Sequence, residues 1–570
     1  MDLTFYGSED FKNRLLENIN LYLALNHVEI IKSFLFNYYK NLSLLTAIRD
    51  VIFISFIYNR LVYAIRFISG YGLVGSIQVL FQNASKSFFL FFLSLPPFKK
   101  RVEQEVAQAI TQMRDEMIVH DPKYNYFNQL PSTGLPEQEV MSELLSYQNI
   151  KHNDWKGGKV SGAVYHGGDD LIDLQTKAFH MYCVSNQLHP DVFPGVRKME
   201  SEVVSMVLNM FNAPKETGCG ATTSGGTESL LLACLSAREY GRKYKGITEP
   251  EIIAPASIHA GVDKAAFYFG IKLHHIPLDK ETYKVDMNKL KKFINSNTIL
   301  ICGSAPNFPH GIIDPIDELS ELAVKHKIPL HVDCCLGSFI MPFMEKSGFE
   351  DVPLFDFRLP GVTSISCDTH KYGFAPKGSS IIMYRNEKLR ECQYFVTDSW
   401  MGGLYGSPGL AGSKNGAVMV GCWATMVNMG EKGYIKSCQE IINTARKLKK
   451  AIQQELKELK VIGDPIASVV SFTSDKINIY ALADKLNEKG WHLSALQKPP
   501  ALHLAVTKLS IPIVDDLVKD LKDAVQELIS TDFKPSDSET AALYGVAGSV
   551  KTTGVASKLI VGFLDTLYKT

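Results

Sequence analysis

The sequence predicts an α/β protein built on a mostly parallel, seven-stranded-type sheet, with a smaller α+β region after it and an apolar helical region before it. Three observations lead there. Between residues 218 and 430 short β-rich runs alternate with helical periods, the pattern of a sheet covered by helices. After residue 433 a helical stretch, 437–459, leads into shorter mixed elements that run to Thr570. From Leu42 to Pro97 the chain is apolar and aromatic, unlike everything that follows. These shifts divide the chain into 1–100, an apolar membrane-associating region, and 101–190, a segment that contributes to the site and to a dimer. A large domain, 191–435, and a small α+β domain, 436–570, complete it.

Within 42–97, charge enters only at Arg49, Asp50, Arg60, Arg66 and Lys86, and 68–85 carries none. That uncharged stretch is about the length needed to cross a bilayer. Its hydropathy is lowered by Gly70, Gly72, Gly75, Gln78, Gln82 and Asn83, so the region either spans a membrane or lies on one. It begins too far from Met1 for a cleavable signal. Lys99, Lys100 and Arg101 follow at once and would keep the rest of the chain on the cytosolic side of a span. Residues 103–117 read as a charged amphipathic helix, and the segment to 165 has mixed signals. Then come helix 227–244, strands 251–254 and 271–277, helix 287–294, strand 298–302, helix 317–327 and strand 329–333. Further β-rich runs are 362–366 and 379–384. Residues 534–553, rich in small side chains around Tyr544, read as a mobile loop.

Sixty Lys+Arg balance sixty Asp+Glu, so no overall field steers nucleic acid or an acidic partner. The ten cysteines are scattered without a CxxC pair, which points to a reduced, cytosol-facing chain and against a disulfide scaffold.

The chemistry concentrates in Asp368-Thr369-His370-Lys371-Tyr372-Gly373-Phe374, between two β-rich runs. A lysine at the end of a buried strand is well placed to lose its proton and form a Schiff base, because desolvation disfavours the ammonium. Thr223-Ser224-Gly225-Gly226-Thr227-Glu228-Ser229 is a Gly-rich turn opening a helix, whose backbone N–H groups suit an anion. Asp333 ends a buried strand and needs a cationic partner, such as a protonated pyridine nitrogen. His259 follows a strand, where an imidazole stacks on a ring or packs in a core. Each feature alone has a bland reading. Their order along one alternating α/β pattern is what chance seldom supplies.

With those residues in view, the chain resembles the fold-type-I enzymes that use pyridoxal 5'-phosphate (PLP), in their group II decarboxylase-like branch. It is most similar there to the sphingosine-1-phosphate lyase family. The segments that carry the resemblance include Ser161-Gly162-Ala163-Val164-Tyr165, the run from Ser185 to Gly195, the Thr223–Ser229 turn and Phe308-Pro309-His310-Gly311. Others are the run from Ile328 to Leu336, that from Val362 to Ser380, Tyr405-Gly406-Ser407-Pro408, Ala411-Gly412-Ser413 and Ala542-Leu543-Tyr544-Gly545. They extend from about residue 120 to the C-terminus.

The resemblance implies a PLP-dependent aldehyde-lyase of sphingolipid degradation. It would split sphingoid-base 1-phosphates into a long-chain fatty aldehyde and phosphoethanolamine. Lys371 would carry the cofactor, His259 would stack on its ring and Asp333 would pair with the ring nitrogen. Gly226, Thr227 and His370 would hold the cofactor phosphate. Gly412 and Ser413 would reach it from the neighbouring subunit of a homodimer. Lys377, His189 and Asn186 would hold the substrate's phosphate. Tyr165 and Tyr405 would face the reacting carbons, with Tyr544 a further candidate. Lys371, the substrate phosphate and Tyr165 all remain open as the base for the C3 hydroxyl. The resemblance also implies an endoplasmic-reticulum membrane protein with a transmembrane helix and a cytosolic catalytic domain, and no metal or nucleic acid.

Cys334 and Cys367 stand where Ala or Ser is expected, and both are small enough to be tolerated. Phe308 and His310 stand where related chains carry tyrosine, and both are left out of the catalytic set. Two rival readings remain: an amino-acid decarboxylase of the same branch, and a dead relative acting as a membrane-bound scaffold. Lys377 and the apolar N-terminus argue against the first, an intact Lys371 with Asp333 against the second.

Overall fold

The computed structural model describes residues 32–33, 44–350, 352–530 and 553–570. Residues 1–77 and 78–570 form two compact units. A helix, Leu44–Ser94, begins in the first. Gly72 interrupts it at φ 71° and ψ 167°, a conformation that glycine adopts without Cβ strain. Around the break the Ser76 hydroxyl donates to the Phe67 carbonyl at 3.4 Å. Ile52, Phe53, Tyr58, Leu73 and Val74 are exposed, and the stretch Ile48–Leu93 is long and apolar enough to cross a membrane.

The second unit contains a sheet with strand order β1-β7-β6-β5-β4-β2-β3. The strands are β1 (Cys219–Thr223), β2 (Glu251–Pro255), β3 (Lys272–Ile276), β4 (Thr298–Ser304), β5 (Leu330–Asp333), β6 (Val362–Cys367) and β7 (Ser380–Tyr384). From β3 across to β6 the neighbours are parallel, and β7 runs antiparallel to both β6 and β1. The expected seven-stranded, mostly parallel sheet is therefore present. Strands β2, β4, β5 and β7 are buried along their whole length, as sheets covered on both faces require.

The helix Gly226–Lys245 shows why the covering layer forms. Glu228 lies in its first turn and Arg242, Lys243 and Lys245 in its last, so side-chain charge opposes the helix dipole at both ends. Gly246, at φ 65°, ends it in the left-handed conformation. Leu230, Leu231, Ala233, Cys234 and Ala237 are buried on it. Removing one buried leucine of this kind costs about 2–5 kcal/mol.

One expectation needs correction. The long helix read at 437–459 begins much earlier, spanning Gly416–Glu455 with an interruption at Gly430. Gly421, Gly430 and Gly433 gave its first half a loop-like composition. Packing overrides that propensity: Ala417, Met419, Val420, Cys422 and Met426 are buried there. Position 435 lies inside this helix. Beyond it is an antiparallel sheet of Lys460–Val461, Val469–Thr473, Pro500–Ala505 and Ser494–Gln497, with helices Ile479–Glu488 and Val514–Ser530. The expected mobile loop around Tyr544 falls, but for Thr553, outside the described residues.

Candidate active site

Lys371 sits in the loop between β6 and β7, which many partners hold from all sides. The Ser379 N–H donates to His370 Nδ1 at 3.3 Å, and the His370 N–H donates back to the Ser379 carbonyl at 3.2 Å. Hydroxyls of Thr369 and Ser379 are bonded to each other. Past the lysine, Gln175 donates to the Phe374 carbonyl at 2.8 Å, Tyr434 to that of Gly373 at 2.9 Å and Tyr372 to that of Val506 at 2.9 Å. The loop is thus tied to three other elements. A side chain on Gly373 would meet the Thr369 carbonyl at 2.5 Å, so this tight turn admits only glycine.

Lys371 Nζ lies 3.0 Å from Asp368 Oδ2, and His370 Nε2 lies 3.7 Å from the same oxygen. The sequence led to the expectation that burial would lower this amine's pKa. Burial, the largest single influence, disfavours the ammonium, but the Asp368 carboxylate together with Cys335 and Tyr165 outweighs it, and the pKa of Lys371 is raised on balance. For Asp368, burial works against the charge, while Lys371 and His370 overcome it and hold its carboxyl below the usual range. Burial, Lys377 and Lys371 together lower the pKa of His370.

Tyr165 closes the other side. Its ring meets Tyr372 edge-on at 4.8 Å, and Lys377 Nζ lies 4.7 Å from its centre. Burial pushes the phenol up to about 12, with Asp368 adding and Lys371 opposing. The preceding Ser161 hydroxyl donates to the His503 carbonyl at 3.3 Å and accepts from the Ala505 N–H at 2.9 Å. The small C-terminal sheet therefore fixes where Tyr165 stands. Lys377 Nζ is 3.5 Å from the His370 carbonyl, and burial beside Lys371 lowers its pKa.

Asp333 ends β5 and pairs in register with Ser366 on β6. Its Oδ1 accepts from the Cys335 N–H at 3.0 Å and the Ser366 hydroxyl at 3.4 Å. His259, just after β2, is exposed and accepts the Gly261 N–H at 3.0 Å. Strand ends β2, β5 and β6 thus bring His259, Asp333 and Lys371 to one edge of the sheet, the edge where parallel α/β sheets bind ligands.

Gly226 and Thr227 open their helix against this edge. A Cβ on Gly226 would lie 2.7 Å from Asp368 Oδ2 and 2.9 Å from Cys335 Sγ. One on Gly225 would touch His370 at 3.6 Å. The turn therefore lies close to His370 and Asp368.

A second cluster joins other residues that the sequence singled out. Asn186 Nδ2 donates to Ser413 Oγ at 3.0 Å, and Asn186 Oδ1 accepts the N–H of Leu188 at 3.0 Å and of Lys414 at 3.2 Å. The His189 N–H donates to the Asn186 carbonyl. A side chain on Gly412 would approach the Tyr405 hydroxyl at 3.7 Å. Glu228, to which the sequence alone assigned no role, links the two clusters. Its Oε2 accepts the N–H and hydroxyl of Ser224 at 2.7 and 2.6 Å, and its Oε1 the Leu410 N–H at 3.1 Å. Its place in the first turn of the helix, where a carboxylate is favoured, is a signal that could have marked it. Tyr544 lies outside the described residues.

A cleft of about 850 Å³ opens on the β2–β4 side of the same edge, between Ser257, Tyr283, His310, Leu496 and Lys498. Lys371, Asp333 and Tyr165 do not line it, so the site is assigned from its chemistry and not from concavity.

PLP fits these residues on three counts. A reactive amine, a strand-end carboxylate and an exposed imidazole share one edge. The turn can approach the Lys371 loop closely because Gly226 has no side chain to collide with Asp368 and Cys335. Asp368 Oδ1, although buried, has no hydrogen-bond partner among the described residues.

Residues 130–475 match the pyridoxal-dependent decarboxylase conserved domain. Over 549 residues the chain is 58% identical to the sphingosine-1-phosphate lyase of Saccharomyces cerevisiae, covering 96% of this chain and 93% of that one. It is 40% identical to sphingosine-1-phosphate lyase 1 of Mus musculus, over 88% and 87% of the two chains. The sphingosine-1-phosphate lyase structure from Burkholderia pseudomallei superposes with a TM-score of 0.69 at 38% identity, covering 71% of this chain and 94% of that one.

Proposed function

The chain belongs to the sphingosine-1-phosphate lyase family, and from that premise we propose how its residues share the work. It is a PLP-dependent carbon–carbon lyase that cleaves sphingoid-base 1-phosphates to a long-chain aldehyde and phosphoethanolamine. The observation that carries the assignment of roles is the meeting of Lys371, Asp368, His370, Gly226 and Tyr165 at one sheet edge.

Lys371 would carry PLP and Asp333 would pair with its ring nitrogen; when bound, the cofactor would supply a sink for the electron pair left on C2 by cleavage of the C2–C3 bond. His259 would cover the ring face, and Gly226, Thr227 and His370 would hold the cofactor phosphate. Lys377, from the first cluster, and His189 and Asn186, from the second, would take the substrate phosphate. Loss of the C3 hydroxyl proton lets the C3 fragment leave as the aldehyde, and a proton delivered to C2 completes phosphoethanolamine. Tyr165, with its phenol pushed up to about 12, keeps its proton at neutral pH and serves as a hydrogen-bond donor beside Lys377. The proton acceptor is then Lys371 Nζ or the substrate phosphate. Tyr405 approaches the reacting carbons from the second cluster.

The active unit is a homodimer in this reading, with Gly412 and Ser413 serving the neighbour's cofactor. Exposed Trp400, Met401 and Leu404, close in sequence to Tyr405, support such a contact. The apolar helix is consistent with membrane anchoring. Its basic flank Lys99-Lys100-Arg101 supports an endoplasmic-reticulum enzyme with a cytosolic site.

The deciding experiment follows aldehyde and phosphoethanolamine together from sphinganine 1-phosphate with purified protein and PLP. Equal yields of both, abolished in Lys371→Ala along with the absorbance of the bound cofactor, are expected. Turnover retained in Lys371→Ala would overturn the role of this lysine.

A further inference from the structure

We propose that Asp368 is the residue that controls cofactor capture, by holding Lys371 as an ammonium in the cofactor-free chain and passing to His370 once the amine is engaged. The inference rests on the reading of Lys371 as the attachment point. Asp368 would be a positioning residue, acting through Lys371 and His370.

The geometry is specific. Asp368 Oδ2 faces both the Lys371 ammonium, with Nζ at 3.0 Å, and the His370 imidazole, with Nε2 at 3.7 Å. Since His370 Nδ1 accepts the Ser379 N–H, the ring proton sits on Nε2, facing Asp368. Asp368 is 2% exposed and Lys371 20%, so water screens the pair poorly. An amine attacks an aldehyde only through its free lone pair. Capture therefore requires a proton to leave Nζ before the C–N bond forms and water departs with the aldehyde oxygen. A carboxylate 3.0 Å away opposes that loss. Once Nζ is committed, the carboxylate's remaining neighbour is the Nε2–H of the His370 imidazole, beside the Gly225–Gly226 turn, where a Cβ on Gly225 would lie 3.6 Å from that ring. The same charge that slows capture then orients the imidazole at the phosphate turn.

Other groups face this amine. The Tyr165 hydroxyl and the Cys335 thiol couple to Lys371, and burial raises the pKa of both, so they are neutral near pH 7. Lys377 couples to it as a like charge. Asp368 is the anion among them.

The test uses full-length protein stripped of cofactor, with PLP uptake followed by absorbance as a function of pH. Uptake by the wild type should accelerate as pH rises. Removing a charge this close moves a pKa by about 1–3 units. The Asp368→Asn profile should therefore shift about 1–3 units lower, with capture at neutral pH about tenfold faster or more. Asp368→Glu should keep the wild-type profile, and Tyr165→Phe and Cys335→Ser should leave it in place. An unmoved Asp368→Asn profile, or uniformly slower uptake by a folded variant, would overturn the proposal. If Asp368→Asn does not fold, amine-selective labelling of wild-type Lys371 across pH, mapped by mass spectrometry, reads the same quantity. Titration above an ordinary lysine is expected, and titration below one would refute the idea. Borohydride reduction and peptide mapping of the loaded wild type test the attachment point separately.

Discussion

The two clusters of the site are built in different ways. Around Lys371 the charges are buried, mutually compensated, and held by a loop pinned from three other elements. The Asn186–Ser413 cluster joins loops 227 positions apart, with His189 exposed beside it. A buried charge that must change protonation needs a surround that cannot relax. A group that receives an incoming phosphate needs solvent access. The first cluster is therefore expected to govern stability, cofactor and chemistry together, with exposed Lys377 beside it serving binding, and the second chiefly binding.

Acid should separate the clusters most. Burial lowers His331, His310 and His503 to about 4, and all three lie in or against the sheet and small domain that build the Lys371 side. Each histidine binds a proton in the unfolded chain, near pH 6.5, well before it does so in the folded one. Stability is thus present above about pH 6.5 and lost as pH falls toward about 4, by about 3 kcal/mol for a fully buried histidine. Asp314, raised to about 7 by burial, acts in the opposite sense, so the net loss is smaller than three histidines alone would give. Urea midpoints between about pH 7 and about pH 4.5 should fall, and less steeply in His331→Asn. A flat wild-type profile would refute the assignment of buried neutral histidines.

Next in size is Lys377→Ala, which removes a charge-assisted phosphate contact worth about 1.5–3 kcal/mol. KM for phosphorylated substrate should rise about 10- to 100-fold with kcat little changed. An equal fall in kcat would place Lys377 in the chemistry instead.

Glu228→Gln probes the link between the clusters. Donors reach both carboxylate oxygens, so either orientation of the glutamine amide points N–H groups at a donor. The cost is about 1–2 kcal/mol. PLP affinity should weaken about tenfold without loss of fold, measured by equilibrium dialysis and circular dichroism. Unaltered affinity would show the clusters to be independent. The smallest effect expected is that of Asn186→Ala, about 1 kcal/mol, read as a less than tenfold rise in KM.

Much of this is legible in the amino-acid sequence. The Lys371 loop and the Gly226 turn are local motifs, and their chemistry follows from residues a few positions apart. The alternation that places them on a parallel sheet is likewise a short-range signal. The start of the helix Gly416–Glu455 is not legible, because its glycines speak for a loop and burial alone overrules them.

By itself, then, the sequence determined which groups this protein possesses and on which strands and turns they sit. Only the tertiary structure decided their charge and company. It set Asp368 against Lys371, reversing the expected direction of that amine's pKa, and drew Glu228 to both Ser224 and Leu410. The reason is physical: local propensity acts over a few residues, whereas a pKa or a bridging carboxylate depends on what the fold brings within about 4 Å.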